Sequence, residues 1–266
     1  MKFDVAGDPL RLHPMIVGYE PIAESLSVLG GDPARYLLEP VTAAAVVYAD
    51  GWVLLDAGFN VDIVRDPARR GVHFNYDSYT AVVPPGDPLA DQLGALGLAW
   101  SQLRGCAISH IHVDHTGGLR LVPPGVPVAF QRNEYQYGAQ LTPAQALART
   151  VVQSDFLRDD LDIVLLDGDT PLAPGLTALD TSGHTPGHQS FAVTLPSRTV
   201  VLACDAADLR GQIVDAVACG TTMRPEDAPL AAAAARRLRD LDRTEGTEVW
   251  PGHDPDWPSW LEQTVL

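Results

Sequence analysis

Short runs of apolar, often β-branched residues recur along the chain and predict buried strands. Most of these runs are bounded by Gly, Pro or Asp, which are typical of strand ends and turns. The predicted strands are residues 15–17, 43–48, 53–56, 106–109, 126–130, 176–179, 191–195, 200–204 and 247–250.

Helical periodicity lies between several of these strands. The predicted helices cover residues 88–98, 142–152 and 225–241, and a further helix begins within 117–121. Pro225 lies near the start of the last helix and Arg239 near its end, an arrangement that suits the helix dipole. Strands and helices alternate in two batches, before about Gln131 and after about Asp162. This order predicts two packed sheets with helices outside, a four-layer αββα sandwich of the α/β class.

Two segments are less regular than the rest. Residues 60–88 have weak periodicity and contain Phe74 and Tyr76, so we interpret them as a loop that contacts substrate and not as a linker. Residues 1–38 precede the regular pattern and are predicted to be an N-terminal arm that packs on the domain formed by residues 39–266. Together they are expected to form a single structural domain.

Composition restricts the classes of partner. The 266 residues include 18 Lys and Arg against 34 Asp and Glu, which gives a formal net charge of -16. Such a charge repels phosphate backbones and anionic membrane surfaces, so we expect neither nucleic acid nor membrane as a partner. With 46% hydrophobic residues, the composition is ordinary for a globular protein.

The three cysteines, Cys106, Cys204 and Cys219, form no CxxC pair. An odd number without such pairing predicts a reducing compartment and no disulfide framework. No secretory pattern opens the sequence, and no apolar stretch approaches the length of a membrane helix. We therefore expect a cytoplasmic protein.

The sequence SHIHVDHTGG, residues 109–118, begins where a predicted strand ends. Residues two apart on an extended segment point to the same side, so His110 and His112 can bind one ion together. Asp114 and His115 follow where the chain turns into a helix and can face a second point nearby. Imidazole nitrogen and carboxylate oxygen are the ligands expected for Zn²⁺ and related ions.

Three later features also follow predicted strands: His184 and His188 in GHTPGH, then Asp205, then His253 in GHD. Taken singly, each has a simpler explanation, because an HxH can be accidental, a histidine can be a core residue and an aspartate can cap a helix. Together, and in this order at the carboxyl ends of strands, they indicate one metal centre.

The HxHxDH run followed by the distant His, Asp and His resembles the metallo-β-lactamase superfamily, from about residue 41 to His253. The resemblance implies the αββα fold and two divalent ions, by default zinc, although the ligand types also permit Mn, Fe or Co. It assigns the first ion to His110, His112 and His184, the second to Asp114, His115 and His253, and the bridge between them to Asp205.

Two further residues match supporting positions of that family. Asp56, in the Asp-Ala-Gly turn after the strand 53–55, is expected to hold a ligand in place without binding metal. His188 is expected to have a structural role.

Within the superfamily, the chain is similar to N-acyl homoserine lactonases, through HTPGHQS at 184–190 and GHD at 252–254. This resemblance implies a lactone or ester opened by a hydroxide between two metals, with Asp114 and Asp205 as catalytic residues. It is also compatible with a homodimer. The family usually has a tyrosine three residues after the bridging aspartate, where this chain has Asp208. Asp208 can contact substrate or merely cap a helix, and Tyr135 and Tyr137 can supply the phenol or belong to the core.

Two other functions stay open. Another hydrolase of the same fold would act on a phosphotriester, a thioester or a β-lactam. A non-catalytic metal-binding module would hold metal without turnover.

Overall fold

The structure, a computed structural model, describes residues 1–73 and 81–257. Its strands form two sheets. The first has the order β1 to β6: β1 (Arg11–Ala23), β2 (Tyr36–Tyr48), β3 (Gly51–Leu55), β4 (Leu103–Ala107), β5 (Pro127–Gln131) and β6 (Asp162–Leu166). The second has the order β11-β10-β9-β8-β7: β7 (Thr170–Ala173), β8 (Leu176–Asp180), β9 (Gln189–Thr194), β10 (Thr199–Leu202) and β11 (Thr247–Trp250).

Helices connect the strands and cover both outer faces. They are α1 (Glu24–Ser27), α2 (Val61–Arg65), α3 (Pro67–His73), α4 (Pro88–Ala95), α5 (Val113–Thr116), α6 (Arg132–Gln140), α7 (Pro143–Ala148), α8 (Gln153–Phe156), α9 (Arg210–Asp215) and α10 (Ala228–Asp242). Short 3₁₀ turns lie at Trp100–Gln102, Gly117–Leu121, Cys204–Ala206 and Pro225–Asp227. Within residues 1–73 and 81–257, no helix has the length and apolarity needed to cross a membrane.

Alternating side chains divide the apolar core into layers. On β2, Val46 packs between the two sheets, together with Phe191 and Val200 of the second sheet. Its neighbour Ala45 faces the opposite way, toward the helices that cover the first sheet. Leu238 of α10 covers the outer face of the second sheet. The predicted four-layer αββα sandwich is therefore confirmed.

Some predicted boundaries are wrong. The second batch of elements does not begin near Asp162, because β6 pairs in parallel with β5 and completes the first sheet. The helix predicted over 142–152 ends at Ala148, since Thr150 has a φ of 50° and a new helix, α8, follows. The strand predicted over 15–17 is the middle of the longer β1, which pairs with β2 from Arg11 to Ala23.

The predicted N-terminal arm, residues 1–38, contributes β1 and the first residues of β2 to the first sheet. Pro14 and Pro21 interrupt its apolar alternation, which explains why the pattern predicts only a short strand there. Its division from the rest of the chain at residue 38 stays a prediction.

Gly117 allows the turn after α5 to pack directly on the loop that follows β3. A Cβ atom at Gly117 would lie 1.8 Å from the backbone nitrogen of Asn60 and 2.2 Å from the carbonyl carbon of Phe59. No side chain fits at those distances, so only glycine permits this contact. The contact fixes the HxHxDH segment against the Asp56 turn, because Ala57 N–H donates to the His115 carbonyl at the same junction.

Asp155 makes the stability of this region depend on pH. Its side chain is buried on α8, where Oδ1 accepts from Asn60 Nδ2 at 2.9 Å and Oδ2 has no hydrogen-bond partner in the described residues. Burial raises the pKa of Asp155 to about 7. A raised carboxyl pKa stabilises the folded state at low pH, and this stability is lost as the pH rises toward that folded pKa.

We therefore expect the free energy of unfolding of Asp155→Asn to rise relative to that of the wild type as the pH increases. The difference between variant and wild type should shift in favour of the variant by about 2 to 3 kcal/mol from pH 5 to pH 8. Asparagine keeps an acceptor for Asn60 but has no charge to bury. Urea unfolding at both pH values measures this change. A difference between the two proteins that is the same at pH 5 and pH 8 contradicts the prediction.

Candidate metal centre

The predicted ligands meet because the strands before them run in the same direction. In the second sheet, β8 and β10 are both antiparallel to β9, and β11 is parallel to β10. The loops after β8, β10 and β11 therefore all begin at the same end of that sheet, at the carboxyl ends of these strands. They carry His184, Asp205 and His253. The segment after β4 carries the remaining four, His110, His112, Asp114 and His115.

Four residues form a first cluster, with one candidate ligand atom each within 4.8 Å of the others: His110, His112, His184 and Asp205. His112 Nδ1 lies 2.8 Å from His110 Nε2 and 3.1 Å from His184 Nε2. Burial, together with the nearby His184, lowers the pKa of His112 to about 3. A neutral imidazole keeps a lone pair, which is the form that binds metal.

Asp114, His115 and His253 form a second cluster of the same kind. His115 Nε2 lies 3.0 Å from Asp114 Oδ2. Burial alone lowers the pKa of His115, but the charges of Asp114, Asp205 and Asp56 raise it well above its ordinary value. This cluster therefore attracts positive charge.

Asp205, a member of the first cluster, also faces the second cluster and presents a different oxygen to each. Its Oδ2 is 3.4 Å from His110 Nε2 and 3.3 Å from His184 Nε2. Its Oδ1 is 3.2 Å from His115 Nε2 and 3.0 Å from His253 Nε2. One carboxylate can thus serve two ions.

The donor set fits divalent metal ions. His115 Nε2 is buried and has no hydrogen-bond partner of good geometry within the described residues, although two carboxylates face it. Such a buried unpaired atom costs free energy unless something binds it. The second ring nitrogen of the same histidine, Nδ1, is held 2.9 Å from Asp56 Oδ2. Imidazole held by a carboxylate on its far side is a common arrangement of metal-binding histidine.

The two predicted supporting residues lie behind the clusters. Asp56 accepts from the Ser109 N–H through Oδ1 at 2.6 Å and faces His115 through Oδ2. His188 Nε2 accepts from the Asp205 N–H at 3.1 Å, and its Nδ1 lies 2.9 Å from Thr181 Oγ1. Asp56 contacts the second cluster and His188 contacts Asp205, and neither belongs to either cluster.

We expect Asp56→Asn to lower metal affinity at the second cluster by about 10- to 100-fold. An asparagine presents one oxygen and one N–H₂ group, so either Ser109 or His115 loses its acceptor. Titration with a chromophoric chelator gives the affinity of each metal equivalent. Equal affinities in variant and wild type, at unchanged fold by circular dichroism, would contradict this role.

Glu134 on α6 connects the two ligand-bearing loops, and the sequence did not indicate it. Its Oε1 accepts from Ile111 N–H at 3.0 Å, between the ligand candidates His110 and His112. Its Oε2 accepts from Gly187 N–H at 2.7 Å, in the loop that carries His184. Burial raises the pKa of Glu134 to about 7.

A cavity of about 490 Å³ opens onto both clusters. Asp114, His112 and Asp205 lie in its lining together with residues from β1, β2, the α7–α8 junction and the segment before α10. Substrate-sized space next to the candidate ligands is what a catalytic centre requires. Further lining residues are Glu20, Ile22, Leu26, Ser27, Glu39, Arg149, Thr150, Asp208, Thr221 and Met223.

The predicted substrate contacts have different outcomes. Asp208 lines the cavity and is buried. Tyr135 and Tyr137 do not line it. Tyr135 packs against Phe130 in the core, and the Tyr137 hydroxyl accepts from Arg149 Nε at 3.1 Å. Phe74 and Tyr76 lie outside the described residues.

The chain is similar in sequence to known proteins. The family model described as the metallo-beta-lactamase superfamily matches residues 37–263. The chain is 32% identical over 240 residues to N-acyl homoserine lactonase AttM of Azorhizobium caulinodans. This alignment covers 86% of this chain and 88% of that protein. It is 27% identical over 223 residues to N-acyl homoserine lactonase AiiA of Bacillus thuringiensis subsp. kurstaki, with 84% of each covered.

A solved structure agrees in fold. It is an N-acyl homoserine lactone hydrolase with the product N-hexanoyl-L-homoserine bound at its catalytic metal centre. The TM-score is 0.80 at 24% identity, over 95% of this chain and 96% of that one.

Proposed function

We propose that this chain, which belongs to the metallo-β-lactamase superfamily, is a metal-dependent hydrolase that opens a lactone or a related carboxylic ester. The observation that carries this proposal is the pair of ligand clusters, both of which Asp205 contacts, beside a cavity of about 490 Å³. The names of the relatives support the lactone, because both are N-acyl homoserine lactonases.

The residues of the centre would hold two divalent ions, with zinc as the default. His110, His112 and His184 would hold the first, while Asp114, His115 and His253 would hold the second, and Asp205 would bind both. When bound, such a pair supplies Lewis acidity and a hydroxide nucleophile at neutral pH.

The chain's own groups would then orient the ester and move the proton. Asp114 lines the cavity, and its Oδ2 lies 3.0 Å from His115 Nε2 and 3.9 Å from His253 Nε2. Its other oxygen, Oδ1, is the atom we assign to accepting the proton of the hydroxyl group added to the ester carbonyl and donating it to the leaving alkoxide, which leaves a carboxylate and an alcohol. The surrounding histidines lower the pKa of Asp114 despite its burial, so it begins as an ionised acceptor.

A pH-stat measurement on metal-replete protein tests the proposal. The panel holds short- and long-chain N-acyl homoserine lactones, γ- and δ-lactones, an aryl ester, a phosphotriester, S-lactoylglutathione and a cephalosporin. Asp205→Asn protein serves as the inactive control.

Lactone turnover that the control lacks supports the proposal. Turnover of the phosphotriester, thioester or β-lactam alone would replace the lactonase with another hydrolase of the same fold. Bound metal without turnover of any panel member would indicate a non-catalytic metal-binding module.

A further inference from the structure

Three buried carboxylates line the cavity in addition to the metal-ligand candidates. They are Glu20, Glu39 and Asp208, which are 4%, 2% and 6% exposed. We call these three residues the acidic wall. Burying three acidic side chains around one cavity concentrates negative groups there, which is rare for Asp and Glu.

Strand register places two members of the acidic wall side by side. Glu20 on β1 is the direct cross-strand partner of Glu39 on β2. Directly opposite residues of an antiparallel pair point to the same face, and like charges in such a pair destabilise the sheet. Ser27 Oγ donates to Glu39 Oε1 at 2.6 Å, which offsets part of this cost without adding positive charge.

The third member has an unsatisfied atom. Asp208 Oδ1 is buried and has no hydrogen-bond partner within residues 1–73 and 81–257. A carboxylate oxygen of Asp208 lies within 4.8 Å of a ligand atom of Asp205 and of His253, so it faces the reacting centre. A buried acceptor left unpaired is costly, so a donor on the ligand would relieve it.

The acidic wall lies on the His253 side of the cavity. His253 Nδ1 is held 2.9 Å from the carbonyl of Pro40, the residue after Glu39, and the His253 N–H donates to the Asp208 carbonyl. Arg149 also lines the cavity, and the carbonyl of the neighbouring Thr150 accepts from Val113 N–H.

Resting on the proposed lactonase or esterase function, we propose that the substrate carries a basic amine, whose ammonium group lies against Glu20, Glu39 and Asp208. An ammonium supplies three donors and a positive charge. A plain alkyl substituent would remove water from the carboxylates and return nothing. The substrate class is therefore an amine-bearing lactone or ester.

Two matched substrate pairs test this inference with metal-replete protein. N-(4-aminobutanoyl)-homoserine lactone is compared with N-pentanoyl-homoserine lactone, in which a methyl group replaces the ammonium. N-glycyl- and N-propanoyl-homoserine lactone form the same comparison at a shorter distance. For at least one pair, we expect kcat/KM to be tenfold or more higher for the amine.

Charge-removing variants show whether the acidic wall causes the preference. In Glu39→Gln and Glu20→Gln, the amine-to-methyl ratio of kcat/KM should fall by about tenfold, mainly through KM of the amine. Glu245→Gln is the matched control, because it makes the same change at an exposed residue outside the cavity lining. Its ratio should equal that of the wild type.

The outcomes separate this inference from the proposed function. If both methyl substrates are turned over as fast as their amine counterparts, or faster, the proposed amine preference is wrong and the proposed lactonase function is unaffected. An amine preference that survives both Glu→Gln variants also overturns the role of the acidic wall. If no lactone of either pair is opened, the proposed function fails and this inference fails with it.

Discussion

Asp205→Asn should lower kcat/KM by on the order of 10³ and release at least one of two bound metal equivalents. Asp205 is the residue whose two oxygens face different clusters, at 3.3 Å from His184 Nε2 and 3.0 Å from His253 Nε2. Asparagine presents one oxygen and no charge, so it cannot serve both clusters. Loss of a few kcal/mol of electrostatic stabilisation at a metal centre corresponds to about three powers of ten in rate.

Metal analysis by mass spectrometry and initial rates in the pH-stat measure the two effects together. Asp215→Asn is the matched control, because Asp215 is exposed at the end of α9 and should retain both metal and turnover. An Asp205→Asn protein that keeps two metals and full activity would remove Asp205 from the bridging position.

The metal-ligand candidates could be predicted from the sequence because their signal is local. His110, His112, Asp114 and His115 lie within six consecutive residues, and each later candidate follows an apolar run that forms a strand. Strand direction then brings distant loops to one edge. The family resemblance is confirmed by the match over residues 37–263.

The residues that sequence patterns missed depend on tertiary contacts. Glu134 lies in α6, whose polar sequence RNEYQYGAQ predicts no buried acid. Glu20 and Glu39 become neighbours only through the β1–β2 register, 19 positions apart in the chain. Sequence periodicity contains no information on which strands pair or which helix packs over a loop, so these positions needed the structure.

Tyr135 and Tyr137 are the opposite case, because the sequence made them candidates and tertiary packing places them away from the cavity lining. Both were candidates for a phenol beside the bridging aspartate, yet one packs on Phe130 and the other holds Arg149. Asp208 thus lines the cavity without either phenol there. This arrangement is one reason to expect a substrate that supplies its own donors.

Glu134→Ala should lower the free energy of unfolding by about 3 to 5 kcal/mol and weaken metal binding about 10- to 100-fold. The change removes the acceptors of two buried N–H groups, those of Ile111 and Gly187, and leaves a cavity between the two ligand-bearing loops. Each unpaired buried group costs about 1 to 3 kcal/mol. The loops then no longer hold His112 and His184 at a fixed separation.

Urea unfolding of metal-free protein separates the structural cost from lost metal binding, and chelator competition measures the latter. Glu134→Gln should be intermediate in both measurements, because its amide oxygen satisfies one N–H while its amide nitrogen faces the other. Glu245→Ala, at an exposed position, should change neither. If Glu134→Ala unfolds like the wild type but binds metal more weakly, Glu134 acts on the ligands alone. If metal affinity is also unchanged, the two loops are held by other contacts and Glu134 has no positioning role.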